Sequence, residues 1–504
     1  MDLYRCHRPP SLSSTFAVHE DRYKVCEKCG RRVLPRAMLH YAKDMQNQRC
    51  VCHRSRTPTR AAAPLIISRK TLLQAVKRPH RKTSDSPFHR STNSLSYPFH
   101  RTSSLLDLTS DRRYLVLPGN NSKLVGKLMG RRAGWSEETF TQRSTCHFAW
   151  HPESRTVRFD RYAPYLDLQM VNHFEGHAQL SNKLSLYRNL KEYCEANDAD
   201  ISDLMPLTFV LELDSPKLHT QMTAFSSCFK GIAGRKTVPG THYSGANVWL
   251  LKPADLNRGQ GISIFSSLEE LRDLLRDICA RTSKATRTPF LVQKYVESPY
   301  LLDSRKFDIR VWVLVTQELM SYVYKEGYLR TASEAFTLDR EQLRRHYVHL
   351  TNNAVQKNGP LYGRREPGNQ LAFAQFQLYL QADGRQVSVG KDLFARMKAM
   401  IRQSLLSVQW KLNPLHRAGC FEVLGYDFLL DTDLQVWLLE VNTNPCLELS
   451  SPLLAQLVPR MLDEALQLTV DRTFPTVYRE ELKTRQVIEL PPGNLWDPVV
   501  SLHS

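Results

Sequence analysis

The sequence has no apolar run long enough to span a membrane and no signal peptide at its amino terminus. Its longest apolar stretches, such as residues 61–67, are far shorter than the roughly 20 residues that a bilayer requires. Residues 5–10 are polar and basic with no apolar run behind them, and Glu20 and Asp21 are unusual in a transit peptide. We therefore expect a cytosolic or cytoskeletal protein without a membrane span.

Acidic residues are scarce relative to basic ones. The 504 residues include 69 Lys and Arg but 50 Asp and Glu, which gives a formal net charge of +19. Such a charge attracts nucleic acid, an anionic membrane or an acidic protein. The sequence lacks an RNA-binding signature with interleaved aromatic residues, so nucleic acid is the weaker interpretation.

Cysteines are few outside the amino terminus, where five of the eleven lie within the first 52 residues. Without a secretory signal, we expect the scattered cysteines to be reduced thiols. Cys26 and Cys29 have the spacing and the following glycine of a zinc knuckle. Four side chains compete for the other two ligand positions: His40, Cys50, Cys52 and His53. The alternative is a disordered basic head with incidental cysteines.

Composition divides the chain into five segments. Residues 1–60 form a Cys- and His-rich basic head, and residues 61–110, rich in Ser, Arg, Pro and His, are predicted to be a disordered linker. Beyond them, apolar strands alternate with helical segments, which predicts an α/β fold. A smaller amino-terminal lobe covers residues 111–205, and a larger domain covers 206–475. We expect residues 476–504 to form a surface tail.

Local patterns place individual elements in the ordered part. The apolar residues 114–117 predict a strand that ends in a Pro-Gly-Asn-Asn turn. Apolar side chains at helical spacing predict helices over residues 184–195, 267–280 and 393–410.

Three oxygen-bearing side chains fall on two apolar segments near the end of the larger domain. Glu440 and Asn442 are two residues apart, so both side chains point to one face of their strand. Asp427 lies on a preceding apolar segment and can converge with them. Two carboxylates and a carboxamide are the hard donors that Mg²⁺ prefers while it also holds phosphates. The alternative is a strand end whose polar residues cap a turn before Pro445.

A lysine and a glycine-rich loop suggest a phosphate-binding site upstream. Lys252 ends an apolar strand, and the loop that follows is Arg258-Gly259-Gln260-Gly261-Ile262. Glycines spaced by one residue let the backbone approach phosphates and present its N–H groups. The loop lacks both the Gly-Lys-Ser/Thr of a Walker motif and the third glycine of a Rossmann fingerprint. A plain hairpin turn is the alternative.

Two further apolar segments carry polar groups. The strand that contains Gln293, Lys294, Tyr295 and Val296 is expected to offer its edge to an adenine. Lys306, Asp308 and Arg310 alternate, so they share one face of an otherwise apolar strand. Such charges are costly unless they meet a ligand or each other. A structural ladder of ion pairs is therefore the alternative to a ligand site.

Taken in order, these segments resemble the tubulin–tyrosine ligase-like family over residues 111–475, outside the Cys-rich head. Asn172-His-Phe174 and the turn at residues 118–121 match its amino-terminal part. The motifs that carry the resemblance are Lys252-Pro253, Arg258-Gly-Gln-Gly-Ile262, Gln293-Lys-Tyr-Val296, Lys306-Phe-Asp-Ile-Arg310, His349-Leu-Thr-Asn352 and Trp437-Leu-Leu-Glu-Val-Asn-Thr-Asn-Pro445. The resemblance implies an ATP-grasp fold and an enzyme that joins a free amino acid to a protein carboxylate.

The resemblance also implies roles for individual residues. Arg330 would grip the carboxylate of the incoming amino acid, and Lys252 and Arg310 would neutralise charge during catalysis. Asp427, Glu440 and Asn442 would be the Mg²⁺ ligands. The implied ATP contacts are Lys252, Arg258 to Ile262, Gln293 to Val296, Lys306 and Asp308, with Thr351 and Asn352 lining the site between nucleotide and amino acid.

The acidic tails of tubulin are the implied acceptor, which fits the basic charge and implies a cytoplasmic or cytoskeletal location, including cilia, flagella or basal bodies. Glutamate-adding members carry a lysine about sixteen residues after the metal-binding asparagine; residues 455–460 have none, although Arg460 can substitute. We therefore favour glycine over glutamate, and tyrosine least. An inactive tubulin-binding homologue, a ligase for another acidic protein and a nucleic-acid-binding protein remain alternatives.

Overall fold

The computed structural model describes residues 24–25, 32–33, 112–138, 146–159, 169–234, 245–256, 259–282, 288–475 and 490–502. The chain separates into two compact units, residues 1–100 and 101–504. In the first unit, strands β1 (Lys24–Val25) and β2 (Arg32–Val33) pair antiparallel. The candidate zinc ligands Cys26, Cys29, Cys50 and Cys52 lie outside the described residues.

The second unit begins with a small parallel sheet. Its strands are β3 (Arg112–Val116), β4 (Trp135–Glu137), β5 (Phe148–Trp150) and β6 (Met170–Val171), in the order β4-β3-β5-β6. The predicted turn after β3 leads into helix α1 (Ser122–Met129). Two further helices follow, α2 (Ala178–Ser181) and α3 (Lys183–Ala196). Asn182 caps α3 by accepting from the N–H groups of Leu184 and Ser185.

A second sheet is antiparallel and has the order β7-β10-β8-β9. Its strands are β7 (Thr208–Leu211), β8 (Trp249–Pro253), β9 (Ser263–Phe265) and β10 (Phe290–Lys294), and its helices are α4 (Leu218–Ala233) and α5 (Leu268–Arg281). Phe225, Trp249 and Phe265 form the centre of its core. Because β10 is flanked by β7 and β8, the expectation that this segment offers its edge to an adenine is wrong over Phe290–Lys294.

The third sheet contains seven antiparallel strands: β11 (Phe307–Val315), β12 (Met320–Tyr324), β13 (Tyr328–Thr331), β14 (Gln370–Ala372), β15 (Glu422–Leu430), β16 (Val436–Asn442) and β17 (Trp496–Ser501). The order along one path is β14-β13-β11-β12-β17, and β15 joins β11 to β16. The expectation of a surface tail is wrong over β17, because that strand pairs with β12 and Trp496 is fully buried.

Helices cover both faces of the third sheet. They are α6 (His346–His349), α7 (Asn353–Gln356), α8 (Phe373–Ala382), α9 (Phe394–Leu406), α10 (Pro452–Leu468) and α11 (Val470–Thr473). Along β11, Val311 and Val313 share a core cluster with Ile401 of α9, whereas Trp312 joins Val458 of α10. The strand therefore alternates between two cores, as its near-continuous apolar sequence requires.

The observed elements agree closely with the helices predicted from spacing. Helices α3 and α5 lie within about one residue of the predicted limits, and α9 ends at Leu406 rather than at residue 410. All six cysteines in the described ranges are free thiols, as expected. Among the helices that the structure describes, none is long and apolar enough to cross a membrane. The predicted mixed α/β class is confirmed.

Candidate active site

Strand pairing brings the distant polar residues of the third sheet together. In β15 and β16, Asp427 lies directly opposite Glu440, and Gly425 lies opposite Asn442. The Asn442 carboxamide donates to Asp427 and to Glu440, both at 3.2 Å. The side chains of the three residues predicted to bind a metal therefore lie next to each other on β15 and β16.

A buried network of two arginines and two aspartates adjoins these residues. Arg310 contacts Asp427 through two bonds of 2.5 and 3.0 Å, and Arg330 contacts Asp308 at 2.6 and 2.9 Å. Arg330 also lies 2.7 Å from Asp427. Thr351 donates its hydroxyl to Asp308. The charged side chains of β11 therefore pair with residues of neighbouring strands rather than with each other, and these ion pairs fix the side chains around Asp427.

The arginines determine the charge state of Asp427. Burial acts to raise the pKa of this carboxyl, but Arg310 and Arg330 outweigh burial and hold the pKa well below its usual value. The same contacts raise the pKa of Arg330 above its usual value despite burial. Asp427 is therefore an anion whose two oxygens already accept several hydrogen bonds.

A cavity of about 110 Å³ opens between the second and third sheets. Its walls contain most of the residues predicted to contact ATP or amino acid: Lys252, Gly259, Ile262, Gln293, Lys294, Tyr295, Val296, Lys306, Asp308, Arg330, Thr351, Asn352, Asp427 and Glu440. Gln260 and Gly261 belong to the same loop but do not line the cavity, and Arg258 lies outside the described residues. Arg310 is placed behind Asp427, where it contacts the carboxylate rather than the cavity.

Two lysines face the cavity from different sheets. Lys252 donates to Gln293 Oε1 at 2.6 Å, and Lys306 donates to the Tyr295 hydroxyl at 3.0 Å. Burial and the nearby charge of Lys252 lower the pKa of Lys306 to about 7, although Asp308 opposes the shift. Burial lowers the pKa of Lys252 to about 8. An anionic ligand in this cavity would restore the charge that burial disfavours.

The glycine loop between β8 and β9 needs its glycines for steric reasons. Gly259 and Gly261 have φ of +77° and +69°. A Cβ at Gly261 would lie 2.8 Å from Pro253 Cγ, and one at Gly259 would lie 3.0 Å from Asn352 Nδ2. The loop thus packs tightly against its neighbours beside the cavity, and a plain hairpin turn does not require such contacts.

At the end of β10, two of the predicted ATP contacts also have partners within the protein. Gln293 donates to Thr208 Oγ1 at 3.0 Å, and the ammonium group of Lys294 contacts the fully buried carboxylate of Glu297. The charge of Lys294 is therefore satisfied within the protein. Apolar cavity walls come from Leu250, Val296, Leu429 and Leu439, a surface suited to a flat aromatic base.

Sequence reasoning missed Lys183, in the first turn of α3. This residue is 7% exposed, its Nζ donates to the Leu256 carbonyl oxygen at 2.5 Å, and it lies 3.7 Å from Glu440. It joins the glycine-loop segment to a candidate metal ligand. A lysine near a helix amino terminus opposes the helix dipole, and that is the one local signal available to find it.

A second missed group holds the segment that follows Asn442. Asn120 donates to the Pro445 carbonyl at 2.9 Å and accepts from the Leu447 N–H at 3.1 Å, and Asn121 donates to the Leu447 carbonyl at 2.9 Å. Deeper in the protein, Thr443 donates to Glu422.

Glu422 is fully buried, and the amino-terminal lobe supplies its remaining partners. The N–H of Phe174 donates to the carboxylate at 2.9 Å, and His173 Nδ1 lies 2.8 Å from it. The small lobe thereby fixes the segment beside the candidate metal ligands from two directions.

Two antiparallel sheets with a lysine-lined cavity between them are the arrangement of an ATP-grasp protein. The model of the tubulin-tyrosine ligase family matches residues 161–477, and the chain belongs to that family.

Named relatives fall on more than one branch of the family. The chain is 32% identical to the human protein monoglycylase TTLL8 over 311 residues, which is 59% of this chain and 35% of that relative. It is 35% identical to tubulin glycylase 3B of Tetrahymena thermophila over 238 residues, 46% of this chain and 19% of that protein. It is 30% identical to the probable tubulin polyglutamylase TTLL9 of Rattus norvegicus over 382 residues, 68% of this chain and 76% of that protein. The chain thus spans about a third or less of the two glycylases.

Proposed function

We propose that the chain is an ATP-dependent carboxylate–amine ligase that adds glycine or glutamate to side-chain carboxylates in the acidic tails of tubulin. The observation that carries the proposal is a single cavity lined by two lysines and two carboxylates. The lysines are Lys252 and Lys306, whose pKa values are lowered by burial, and the carboxylates are Asp427 and Glu440. The names of the relatives, two glycylases and a polyglutamylase, support this class of reaction.

The cavity suits the parts of a nucleotide. Lys252 and Lys306 supply positive charge for the phosphates, and the glycine loop lies beside them. The Oδ1 atom of Asn352 is buried without a hydrogen-bond partner among the described residues, so it can accept from a ligand. The apolar residues Leu250 and Leu429 offer the base a surface to stack against.

The donor set of Asp427, Glu440 and Asn442 fits a magnesium ion. Each side chain carries an oxygen, and Asn442 contacts both carboxylates through its Nδ2, so a half-turn of the carboxamide would turn its oxygen toward an ion held there. The Glu440 side chain is 30% exposed, which leaves it accessible. Within the described ranges, no group of three or more His, Cys, Asp or Glu side chains could hold a metal. The candidate set here has two carboxylates, and its third member is the carboxamide of Asn442. Bound there, magnesium would offset the phosphate charge.

The reaction needs positioning rather than a protein nucleophile. The acceptor carboxylate attacks the terminal phosphorus of ATP and forms an acyl phosphate with release of ADP. The amine of the incoming amino acid then attacks the acyl carbon and displaces phosphate, while its proton passes to solvent. Lys252 and Lys306 hold the phosphate charge, and Arg310 keeps Asp427 ionised and in place.

Arg330 is the proposed contact for the carboxylate of the amino acid. Its Nε and Nη2 are occupied by Asp308 and Asp427, whereas Nη1 has no partner among the described residues. Glycine is favoured over glutamate, because residues 455–460 lack a lysine and Arg460 is paired with Glu464 at 2.7 Å. Cytoplasm and cytoskeleton, including cilia, follow from the proposed substrate.

The decisive experiment incubates the purified chain with microtubules, Mg-ATP and, in separate reactions, labelled glycine, glutamate or tyrosine. Glu440→Gln serves as the control for each amino acid. Label in tubulin with the intact chain alone would establish the ligase and identify its amino acid. ATP binding without any labelling would contradict tubulin as the target and favour another acidic protein or an inactive homologue. Failure to bind ATP would contradict the enzyme itself.

A further inference from the structure

An open cleft borders the candidate nucleotide cavity. The cleft has a volume of about 850 Å³, and Gly259, which lines the nucleotide cavity, lines the cleft as well. Its other walls come from Gln260, Glu334, residues 344–347, Ala354, Val355, Lys357, Asn358 and Pro360. A chain that lies in this cleft therefore reaches the glycine loop from the solvent side.

The cleft and the surface next to it carry positive charge that the protein does not neutralise. Residues 340–365 contain six Lys and Arg and one Glu. Arg344 and Lys357, on the cleft wall, and Arg364, beside it, are exposed and have no carboxylate partner among the described residues. Arg345 differs, because it is paired with Glu334 at 2.7 Å.

The charges on the two surfaces next to the cleft determine which side favours an acidic ligand. On one side of Arg344 lies a hollow where the carboxylates of Glu270, Asp273 and Asp277 outnumber the cations Arg340 and Arg344. This excess of negative charge disfavours an acidic chain. On the other side, a second hollow is lined by three arginines, Arg345, Arg364 and Arg365, against the single carboxylate of Glu334, which pairs with Arg345. An anionic ligand that leaves the glycine loop is therefore drawn toward the arginine side.

We propose that this cationic cleft binds an extended acidic polypeptide segment, with carboxylate side chains on Arg344, Lys357 and Arg364, and delivers one of its carboxylates to the cavity at Gly259. The inference rests on the proposed function and adds the surface that selects the acceptor. Alternate side chains of an extended chain face the same way, so flanking acidic residues can contact the cations while another points inward. The buried Lys252 and Lys306 leave the exposed cations available for the acceptor.

The test measures binding of a fluorescein-labelled poly-glutamate peptide to the full chain without ATP. Arg344→Glu/Lys357→Glu is compared with Lys391→Glu/Arg402→Glu, which changes the same charge at exposed, unpartnered positions of the described structure remote in sequence from the cleft. We expect the cleft pair to raise the peptide Kd about tenfold or more at low salt, and the control pair to raise it about twofold or less. Nucleotide affinity should stay within about twofold for both variants, which reports that they are folded.

Three outcomes would overturn the inference. Equal weakening by both pairs would show that overall charge, not the cleft, binds the peptide. Unchanged binding in the cleft pair would place the acidic segment elsewhere, and tighter cleft-dependent binding of an RNA oligonucleotide of equal charge would assign the surface to nucleic acid. Cleft-dependent peptide binding supports the inference even if the intact chain transfers no amino acid, a result that would count against the proposed function alone.

Discussion

Burial and the charge of Lys252 lower the pKa of Lys306 to about 7, so Lys306 is mostly neutral above that pH in the free protein. A bound polyphosphate stabilises the ammonium form and raises this pKa, so binding takes up a proton at about pH 8. Affinity for Mg-ATP should therefore fall as pH rises from about 7 to 9, by up to about tenfold per unit for each proton taken up. Calorimetric titration in two buffers of different ionisation enthalpy measures the uptake.

Lys306→Arg is the matched control for this pH dependence, because arginine keeps the positive charge throughout that range. Its nucleotide affinity should depend less on pH than that of the wild type. A wild-type titration with no proton uptake would show that Lys306 is already charged in the free protein.

Asp427 and Glu440 are both candidate metal ligands, yet their substitutions should have different effects on stability. Asp427 is 2% exposed and contacts two buried arginines, so Asp427→Asn leaves charge uncompensated and should cost about 3–5 kcal/mol. The Glu440 side chain is 30% exposed, and Glu440→Gln should cost less than about 1 kcal/mol while abolishing transfer. Urea denaturation compares the two; equal losses would contradict the network described around Asp427.

At the residue scale, the sequence predicts which side chains share one face of a strand, because the two-residue period of the strand determines this. The two-residue spacing of Glu440 and Asn442, and the alternation of Asp308 with Arg310, predict shared faces, and the cross-strand pairs place them together. Lys183 follows no such rule, because its contact with Glu440 depends on how the small lobe packs on the larger domain. No local pattern encodes that contact.

At the scale of elements, the turn at residues 118–121 acts as a clasp on the segment after Asn442. Asn120 makes two hydrogen bonds to this segment, one to the Pro445 carbonyl and one from the Leu447 N–H, and its φ is +26°. Asn120→Gly removes the side chain without adding backbone strain, since glycine accepts positive φ. We expect a loss of about 1–3 kcal/mol in unfolding free energy and a lower kcat for transfer, with little change in nucleotide Kd.

The control for the clasp is Asn197→Gly, which alters a side-chain bond to the Tyr193 carbonyl at the exposed end of α3. It should leave kcat unchanged at a smaller cost in stability. If Asn120→Gly lowers stability as expected but leaves kcat and KM intact, the clasp is structural and does not position the site.

Helical periodicity is the part of the fold that the sequence predicts best, because it is a property of one segment. Strands are harder to predict. Strand β17 lies within residues 476–504, whose sequence predicts a tail, and its burial depends on pairing with β12. The same limit applies to β10, since strand order in a sheet depends on partners that are distant in sequence.

At the scale of the whole molecule, all the candidate site residues in the described ranges lie within the unit formed by residues 101–504. The core clusters that support them also lie between residues 114 and 502. A chain that begins at residue 111 should therefore bind nucleotide within about twofold of the full chain and unfold at a similar temperature. Thermal denaturation with and without Mg-ATP measures both; a large loss would give the amino-terminal unit a part in the site.

The zinc site in the head stays a prediction, and the same pair of chains tests it. Cys26 and Cys29 have knuckle spacing, and thiolate ligands bind zinc tightly at neutral pH. We expect about one zinc per full chain by mass spectrometry of the metal content, and none in the chain that begins at residue 111 or in Cys26→Ser/Cys29→Ser. Because the site residues described above lie outside the head, the double substitution should leave nucleotide binding unchanged. Metal-free full-length protein, purified without chelator, would favour the alternative of incidental cysteines in a basic head.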